Sequence, residues 1–161
     1  MIRPIRCLLI AVCTIMLFAP NKSLSQSENV EVQSGIRAMA NAIVRDLHSD
    51  GPIAWLRYFS RSQRFFMASD GQLVFPNIDT AETFVPQFAK KIKRVELTWN
   101  EIRVDSLAPG LGIMAASFRE ILISEAGVEQ TPTGYFTGTA EYTPQGWKIR
   151  NAHWSSKGPQ H

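Results

Sequence analysis

The apolar residues in the first third of the chain recur at the spacing of an α-helix. Across residues 28–50 they return every three or four positions, which places them on one face of a helix. These residues are Val32, Ile36, Met39, Ala40, Ile43 and Leu47. The Asp-Gly-Pro run at 50–52 ends this helix and starts a shorter one, because proline is tolerated in a first helical turn. The pattern therefore predicts two consecutive helices, the second with Trp55 and Phe59 on its apolar side.

A third helix is predicted to begin at Asp79. Asp79 and Glu82 have the spacing of a capping box, in which the two side chains bind the free backbone amides of a helix start. The residues expected to form its buried stripe are Phe84, Phe88 and Ile92. Pro86 lies inside this pattern and removes a helical hydrogen bond, so we expect a kink or a late start there.

From residue 93 onward the apolar residues alternate with polar ones, which is the period of a β-strand. After Glu101 the alternation changes phase, which predicts a β-bulge near residues 100–101. Further strands are predicted at 64–67, 72–75, 113–123, 128–142 and 147–155. Because the helices come first and long strands follow, the sequence predicts an α+β domain with helices on one side of a curved antiparallel sheet.

The N-terminus has the pattern of a secretory signal peptide. Two arginines precede an apolar run of thirteen residues, and Ser23 and Ser25 have the small-x-small spacing of a cleavage site. We therefore expect a leader at 1–25 that is removed before Gln26, with Ser25 and Ser27 as the alternative pair. The run is too short for a permanent anchor, which needs about 20 residues. The mature domain is expected to be secreted or periplasmic, without a stable membrane anchor.

The part of the chain after the leader is electrically neutral and free of cysteine. Three of the 17 Lys and Arg residues precede the expected cut, which leaves 14 to balance 14 acidic residues. Nucleic-acid binding needs a basic excess, so no nucleic-acid partner is expected. Both cysteines lie in the leader and the histidines lack ligand spacing, so no metal site is predicted. The remaining chain is interpreted as one domain at 28–156 with a C-terminal tail at 157–161.

No cofactor is predicted either. The glycine pattern at 110–115 superficially matches a dinucleotide-binding motif, but that motif needs a helix after it and a strand is predicted there.

The last strand carries the most specific motif of the chain. Residues 146–156 read GWKIRNAHWSS, which is similar to the end of SnoaL-like domains of the nuclear transport factor 2-like superfamily. The order of helices and strands over 28–156 is similar to that family as well. The resemblance implies a cone, in which three helices close the mouth of a strongly bent sheet and enclose a pocket. It also implies a possible homodimer that pairs through the outer face of the sheet.

The last strand also supplies a candidate catalytic residue. Side chains alternate along a strand, so Trp147, Ile149, Asn151 and His153 are expected on one face, as a pocket wall. His153 could act as an acid or base near neutral pH, with Asn151 or a tyrosine holding an oxyanion. Alternatively, His153 is a structural residue that anchors the strand end through a hydrogen bond.

Other residues bear on the kind of pocket. Four aromatic residues could line a site for a flat or apolar ligand, or could be ordinary core residues. They are Trp55, Tyr58, Trp99 and Tyr135. The superfamily's isomerases use a tyrosine on the first helix, and that helix has none here. The carboxylates at 101, 105, 120 and 141 are interpreted as lying among polar residues or near turns.

Three functional hypotheses follow. The first is an exported domain that binds a small apolar or aromatic molecule in an apolar pocket, without evident catalysis. The second is a pocket enzyme of isomerase, cyclase or hydrolase type that uses His153 as its acid or base. The third is an interaction module that pairs through the outer sheet face.

Overall fold

The computed structural model describes residues 25–157. The predicted leader therefore lies outside the described residues, except for Ser25, and so does the predicted tail after Lys157. The elements are α1 Gln26–Asp50, a 3₁₀ helix Gly51–Arg57, β1 Phe66–Ser69, β2 Gln72–Phe75, α2 Ile78–Ala89, β3 Ile92–Ala108, β4 Leu111–Ser124, β5 Glu129–Gln130, β6 Thr133–Thr143 and β7 Gly146–Ser156. The α+β class is confirmed, with two α-helices and one 3₁₀ helix in place of three α-helices.

Helix α1 follows the predicted pattern closely. All six apolar residues of the predicted face are buried. The Ser25 side chain accepts a hydrogen bond from the Glu28 backbone amide, and the Glu28 carboxylate accepts one from the Ser25 backbone amide, which forms a capping box. A cut before Gln26 would remove this cap. At the other end Gly51 adopts φ 74°, a left-handed conformation that glycine enters without a steric cost.

Helix α2 differs from the prediction in its cap and in its buried face. The cap is Asn77, whose side chain accepts a hydrogen bond of 3.0 Å from the Thr80 amide, so the predicted capping box at Asp79 is wrong. The buried residues are Ala81 and Val85, whereas Phe84 is 53% exposed. The reason is that α2 covers the edge of a cavity, so Phe84 lies at the cavity rim and not in the close-packed core.

The seven strands form one sheet in the order β2-β1-β7-β6-β4-β3, with β5 paired to β4. Strand β1 runs parallel to β7 and the other pairs are antiparallel. The predicted bulge in β3 is confirmed, because the register shifts between Asn100 and Arg103 and Glu101 adopts φ 50°. A bulge of this kind bends the strand that carries it.

A second bulge lies in β7 and was not predicted. Ala140 pairs with Ile149 whereas Thr139 pairs with Asn151, which leaves Arg150 as the extra residue. An extra residue in a strand turns the following side chains to the opposite face of the sheet. As a result Ile149 and Ala152 are both buried, at 2% and 4% exposure. In a regular strand, residues three positions apart would lie on opposite faces of the sheet.

The core lies between α1 and the concave face of the sheet, and its aromatic centre is Trp154. The Trp154 ring lies 4.7 Å from Phe118, 4.8 Å from Phe136 and 5.5 Å from Trp99, measured between ring centroids. Edge-to-face and offset arrangements at these distances add about 0.5–1.5 kcal/mol per pair beyond the burial of apolar area. The concave face is thus packed around Trp154, and a cavity lies between it and α2.

Candidate functional site

Strand β4 carries one carboxylate into the concave side of the sheet. Met114, Ala116 and Phe118 alternate along β4 and are buried at 4% exposure or less. Glu120 is the next residue in this alternation, so its side chain lies on the same face. Across the ladder it pairs with Leu97 of β3, which is 3% exposed. The sheet therefore holds a carboxylate against apolar neighbours.

Glu120 borders a cavity of about 170 Å³ between the sheet, the 3₁₀ helix and α2. We call it the Glu120 cavity, and its lining residues are Pro52, Trp55, Phe59, Met67, Phe75, Phe84, Val85, Phe88, Glu120 and Trp154. Glu120 is the only polar side chain in this set. The cavity is thus an apolar, mainly aromatic chamber with a single titratable group.

Burial raises the pKa of Glu120 to about 7 from a usual value of 4.5. The cause of this shift is the removal of the carboxyl group from water, which disfavours its charged form. The backbone amide of Glu120 donates to the Pro132 carbonyl at 2.9 Å. The carboxyl group itself has no hydrogen bond or ion pair within residues 25–157. A carboxyl group that exchanges a proton near neutral pH is suited to act as acid or base.

The aromatic wall opposite the carboxylate is built from two elements. On the 3₁₀ helix, the Trp55 ring stacks on Phe59 at 5.9 Å and meets the edge of Trp154 at 5.6 Å. On α2, Phe84 and Phe88 stack at 6.0 Å. These contacts hold the rings in fixed orientations, so the wall is shaped before any ligand arrives.

Of the six predicted site residues, only Trp55 lines the Glu120 cavity. Trp99 lies behind the wall, where its ring packs on Trp154 and its indole N–H donates to the Ala40 carbonyl at 3.2 Å. Trp99 therefore supports the wall from the core side and attaches β3 to α1.

Tyr58 joins two helices and does not line the cavity. Its hydroxyl donates to the Asp46 Oδ2 atom of α1 at 2.6 Å. Burial and the hydrogen bond to Asp46 raise the pKa of Tyr58 to about 12, and the same bond lowers the pKa of Asp46. Tyr58 thus fixes the position of the 3₁₀ helix, which carries Trp55.

The prediction that His153 and Asn151 share a face with Ile149 is wrong. The bulge at Arg150 turns both side chains to the outer face of the sheet, where His153 is exposed. They border a shallow depression of about 230 Å³, and Asn151 accepts a hydrogen bond from Thr139 at 2.8 Å. A catalytic role of His153 stays a prediction, but this geometry separates it from the Glu120 cavity.

Tyr135 also lies on the outer face, at 39% exposure. It borders an open groove together with Ser117, Arg119 and Ser155. The Tyr135 hydroxyl makes no hydrogen bond within residues 25–157.

Comparison with known proteins gives a match in structure alone. No family model matches the sequence, and no curated protein matches it either. A nuclear transport factor 2-like superfamily protein from Salmonella enterica superposes with a TM-score of 0.67 at 15% identity, covering 82% of this chain and 95% of that one. The chain has a nuclear transport factor 2-like fold.

Two further structures with this fold carry enzyme names. A proposed scytalone dehydratase from Novosphingobium aromaticivorans gives a TM-score of 0.71 at 11% identity, over 85% of this chain and 93% of that one. A hexachlorocyclohexane dehydrochlorinase (LinA) of type 2 gives a TM-score of 0.64 at 8% identity, covering 85% of this chain and 96% of that one. At such low sequence identity, these matches show a shared fold.

Sequence reasoning missed Glu120, Trp154, Phe84 and Phe88 as cavity residues of this nuclear transport factor 2-like fold. The signal for Glu120 was present, because it continues the alternation of Met114, Ala116 and Phe118. The signal for Trp154 was hidden by the β7 bulge, which no residue pattern marks.

A larger groove of about 810 Å³ opens beside the 3₁₀ helix, and it is polar. Ser60, 1% exposed, donates from its hydroxyl to Glu141, and Lys148 Nζ donates to the Arg57 carbonyl at 2.6 Å. These contacts tie β6 and β7 of the nuclear transport factor 2-like fold to the segment after the 3₁₀ helix. These contacts indicate a structural role for Ser60, Glu141 and Lys148, whereas the buried Ser62 hydroxyl oxygen has no hydrogen-bond partner within residues 25–157.

Two kinds of feature are absent from residues 25–157. No group of three or more His, Cys, Asp or Glu side chains there is arranged to hold a metal ion. Within the same residues, no helix combines the length and apolar character needed to span a membrane.

Proposed function

We propose that this chain is a small-molecule-binding domain whose ligand occupies the Glu120 cavity. The observation that carries the proposal is a chamber of about 170 Å³ with nine apolar lining residues and one carboxylate. An apolar cavity of about 150 Å³ in another protein stays dry and binds benzene, so this volume suits a molecule of similar size. Ligand sites are generally apolar with few polar groups, as here.

The names of two similar structures agree with this proposal. One is named for dehydrochlorination of hexachlorocyclohexane and the other for dehydration of scytalone. Both named substrates are small organic molecules. The same fold therefore accommodates such ligands in other proteins.

A neutral aromatic probe tests the proposal directly. Fluorobenzene binding, followed by ¹⁹F NMR, is expected for the unaltered protein. Val85→Phe fills the cavity from α2, where Val85 is 5% exposed, and is expected to abolish binding. Val128→Phe adds the same atoms at a position that is 58% exposed and is expected to leave binding unchanged. Equal binding by all three folded proteins would overturn the proposal.

A second candidate function is proton transfer by Glu120. The specific observation is a carboxyl group without a partner, whose pKa lies at about 7 in an aromatic chamber. A carboxylate that is poorly solvated is a stronger base than one in water, and its pKa near neutrality allows it to return the proton. In this version of the enzyme hypothesis Glu120 takes the role that the sequence suggested for His153.

The base activity is testable with 5-nitrobenzisoxazole, from which a carboxylate removes the C3 proton while the N–O bond breaks. The rate is expected to rise with pH, with a midpoint at about 7, as Glu120 ionises. Glu120→Gln is expected to reduce the rate to that of the buffer, whereas Glu125→Gln at an exposed turn is expected to leave it unchanged. If instead His153→Ala alone removes the activity, the catalytic site lies on the outer face.

Two further proposals come from the sequence. We propose that the chain is exported and that its leader is removed near Ser25, on the grounds of the basic, apolar and small-residue pattern at the N-terminus. We also propose that two copies pair through the outer sheet face, which carries small side chains such as Ala115 and Thr137 beside His153. Small side chains on a sheet face permit close approach of a second sheet.

A further inference from the structure

The polar character of the Glu120 cavity is confined to one group. Its lining comes from the 3₁₀ helix, β1, β2, α2, β4 and β7, and none of these elements contributes a second charged or titratable side chain to it. The opposing residue on β3, Leu97, is apolar as well. A ligand that fills the cavity therefore meets a carboxylate that has no hydrogen bond or ion pair within residues 25–157.

The walls around this carboxylate suit positive charge. Six of the lining residues are aromatic: Trp55, Phe59, Phe75, Phe84, Phe88 and Trp154. The face of an aromatic ring carries negative electrostatic potential and attracts a cation within about 6 Å of its centroid. Tryptophan is the strongest of these rings, and two tryptophans meet here at 5.6 Å.

The cavity lining has few hydrogen-bond acceptors, and this limits which cations can bind there. A primary ammonium group has three N–H donors, and each buried donor without a partner costs about 1–3 kcal/mol. Among the lining side chains only Glu120 accepts hydrogen bonds strongly. A methylated ammonium group has few or no N–H donors and presents methyl groups to the rings. The cavity therefore favours a methylated ammonium group over a primary ammonium group.

We propose that the ligand of the Glu120 cavity is a small methylated ammonium compound, held by the Glu120 carboxylate and the surrounding aromatic rings. This inference rests on the proposed function of small-molecule binding and names the ligand class. The carboxylate neutralises the cation, and the cation in turn supplies the partner that Glu120 lacks in the free protein. The preference for charge thus comes from the Glu120 carboxylate together with the aromatic rings.

A pair of ligands of equal shape tests the charge preference. Choline and 3,3-dimethylbutan-1-ol differ in that a neutral carbon replaces the quaternary nitrogen. Isothermal titration at pH 8 is expected to show choline binding at least about tenfold more tightly, as a desolvated cation among aromatic rings gains 1–2 kcal/mol or more. Glu120→Gln keeps the shape of the side chain and removes its charge, so it is expected to weaken choline binding and to reduce this preference to the part that the aromatic rings supply, while still binding the neutral alcohol.

The pH dependence gives an independent readout. Choline requires the ionised carboxylate, so its affinity is expected to fall about tenfold from pH 8 to pH 6, as Glu120 with a pKa of about 7 becomes protonated. The affinity for the neutral alcohol is not expected to fall over this range. In Glu120→Gln the choline affinity is expected to be independent of pH.

The outcomes separate this inference from the proposed function. If the neutral alcohol binds at least as tightly as choline, and fluorobenzene binds too, the charge preference is overturned and small-molecule binding stands. If fluorobenzene, the alcohol and choline all fail to bind the folded protein, the proposed function itself is overturned. If choline binds equally well to Glu120→Gln, the site of the cation is elsewhere and the inference is wrong.

Discussion

Glu120 shows how a single residue can couple the stability of this domain to pH. Its carboxyl group is partly buried in the folded chain and hydrated in the unfolded chain. Its pKa therefore rises from 4.5 to about 7 on folding. Well below pH 4.5 the group is protonated in both states, so it does not make stability depend on pH. As the pH rises through about 7, the folded state has to accommodate a charge without a partner.

The first prediction is that Glu120→Gln removes a loss of stability at high pH. The rise in the pKa of Glu120 destabilises the folded state by up to about 3 kcal/mol once the group is fully ionised, at about 1.36 kcal/mol for each pKa unit. The free energy of unfolding of the unaltered protein is expected to fall between pH 5 and pH 8, and that of the variant to fall less. Urea denaturation at both pH values measures this. Parallel curves for the two proteins would mean that Glu120 is hydrated in the folded state.

The second prediction concerns the hydrogen bond from Tyr58 to Asp46. Tyr58→Phe deletes the hydroxyl and leaves the ring, so we expect a loss of about 1 kcal/mol in the free energy of unfolding. Tyr135→Phe is the matched control, since that hydroxyl makes no hydrogen bond within residues 25–157, and it should change nothing measurable. Equal effects of the two substitutions in urea denaturation would show that the bond to Asp46 contributes no stability.

At the scale of elements, the contact between α1 and β7 depends on a glycine in the helix. A Cβ atom at Gly35 would collide with the indole of Trp147, whose Cδ1 atom would lie 2.8 Å away. The Trp147 ring is also held by Tyr142 at 5.6 Å. Glycine costs α1 about 1 kcal/mol of helix stability relative to alanine, and here it allows the helix to approach the sheet.

The third prediction is that Gly35→Ala destabilises the protein by about 1–3 kcal/mol, because overpacking outweighs the gain in helix propensity. Ser34→Ala, one residue away and exposed, should change stability by no more than about 0.5 kcal/mol. Thermal unfolding of both variants measures the difference. A higher melting temperature for Gly35→Ala would indicate that the Trp147 ring moves aside freely.

At the scale of the whole molecule, the bent sheet gives the domain two faces of different character. The concave face holds the core and the Glu120 cavity, while the outer face carries His153, Asn151 and Tyr135. If copies of the chain pair through the outer face, the Glu120 cavities remain accessible in the dimer. Binding and assembly can then be altered separately by substitutions on opposite faces.

The fourth prediction tests the outer face as a dimer interface. Thr137→Arg places a charge at an exposed position between Ala115 and His153 and is expected to convert the dimer to a monomer, because an unpaired charge is costly to bury. Thr83→Arg on the exposed side of α2 is the control and should leave the dimer intact. Sedimentation velocity at tens of micromolar distinguishes the two. A monomer before any substitution would remove the pairing proposal.

The spacing of apolar residues was enough to predict those helices and strands that bury one face. The six buried residues of α1 and the β3 bulge near Glu101 follow from the spacing of apolar residues, because burial selects the period of the helix and the parity of the strand. The order of helices before strands likewise predicted the α+β class, which the structure confirms.

Only the tertiary structure decided which side chains reach the cavity. Because of the β7 bulge, the side chain of Trp154 lies on the cavity side of the sheet and that of His153 lies on the outer face. The position of α2 places Phe84 at the rim of the cavity and not in the core. The partner-free state of Glu120 depends on what five other elements bring toward it. The physical reason is that local spacing fixes the face on which a residue lies, whereas a cavity and the solvation of a carboxyl group arise from surfaces far apart in the chain.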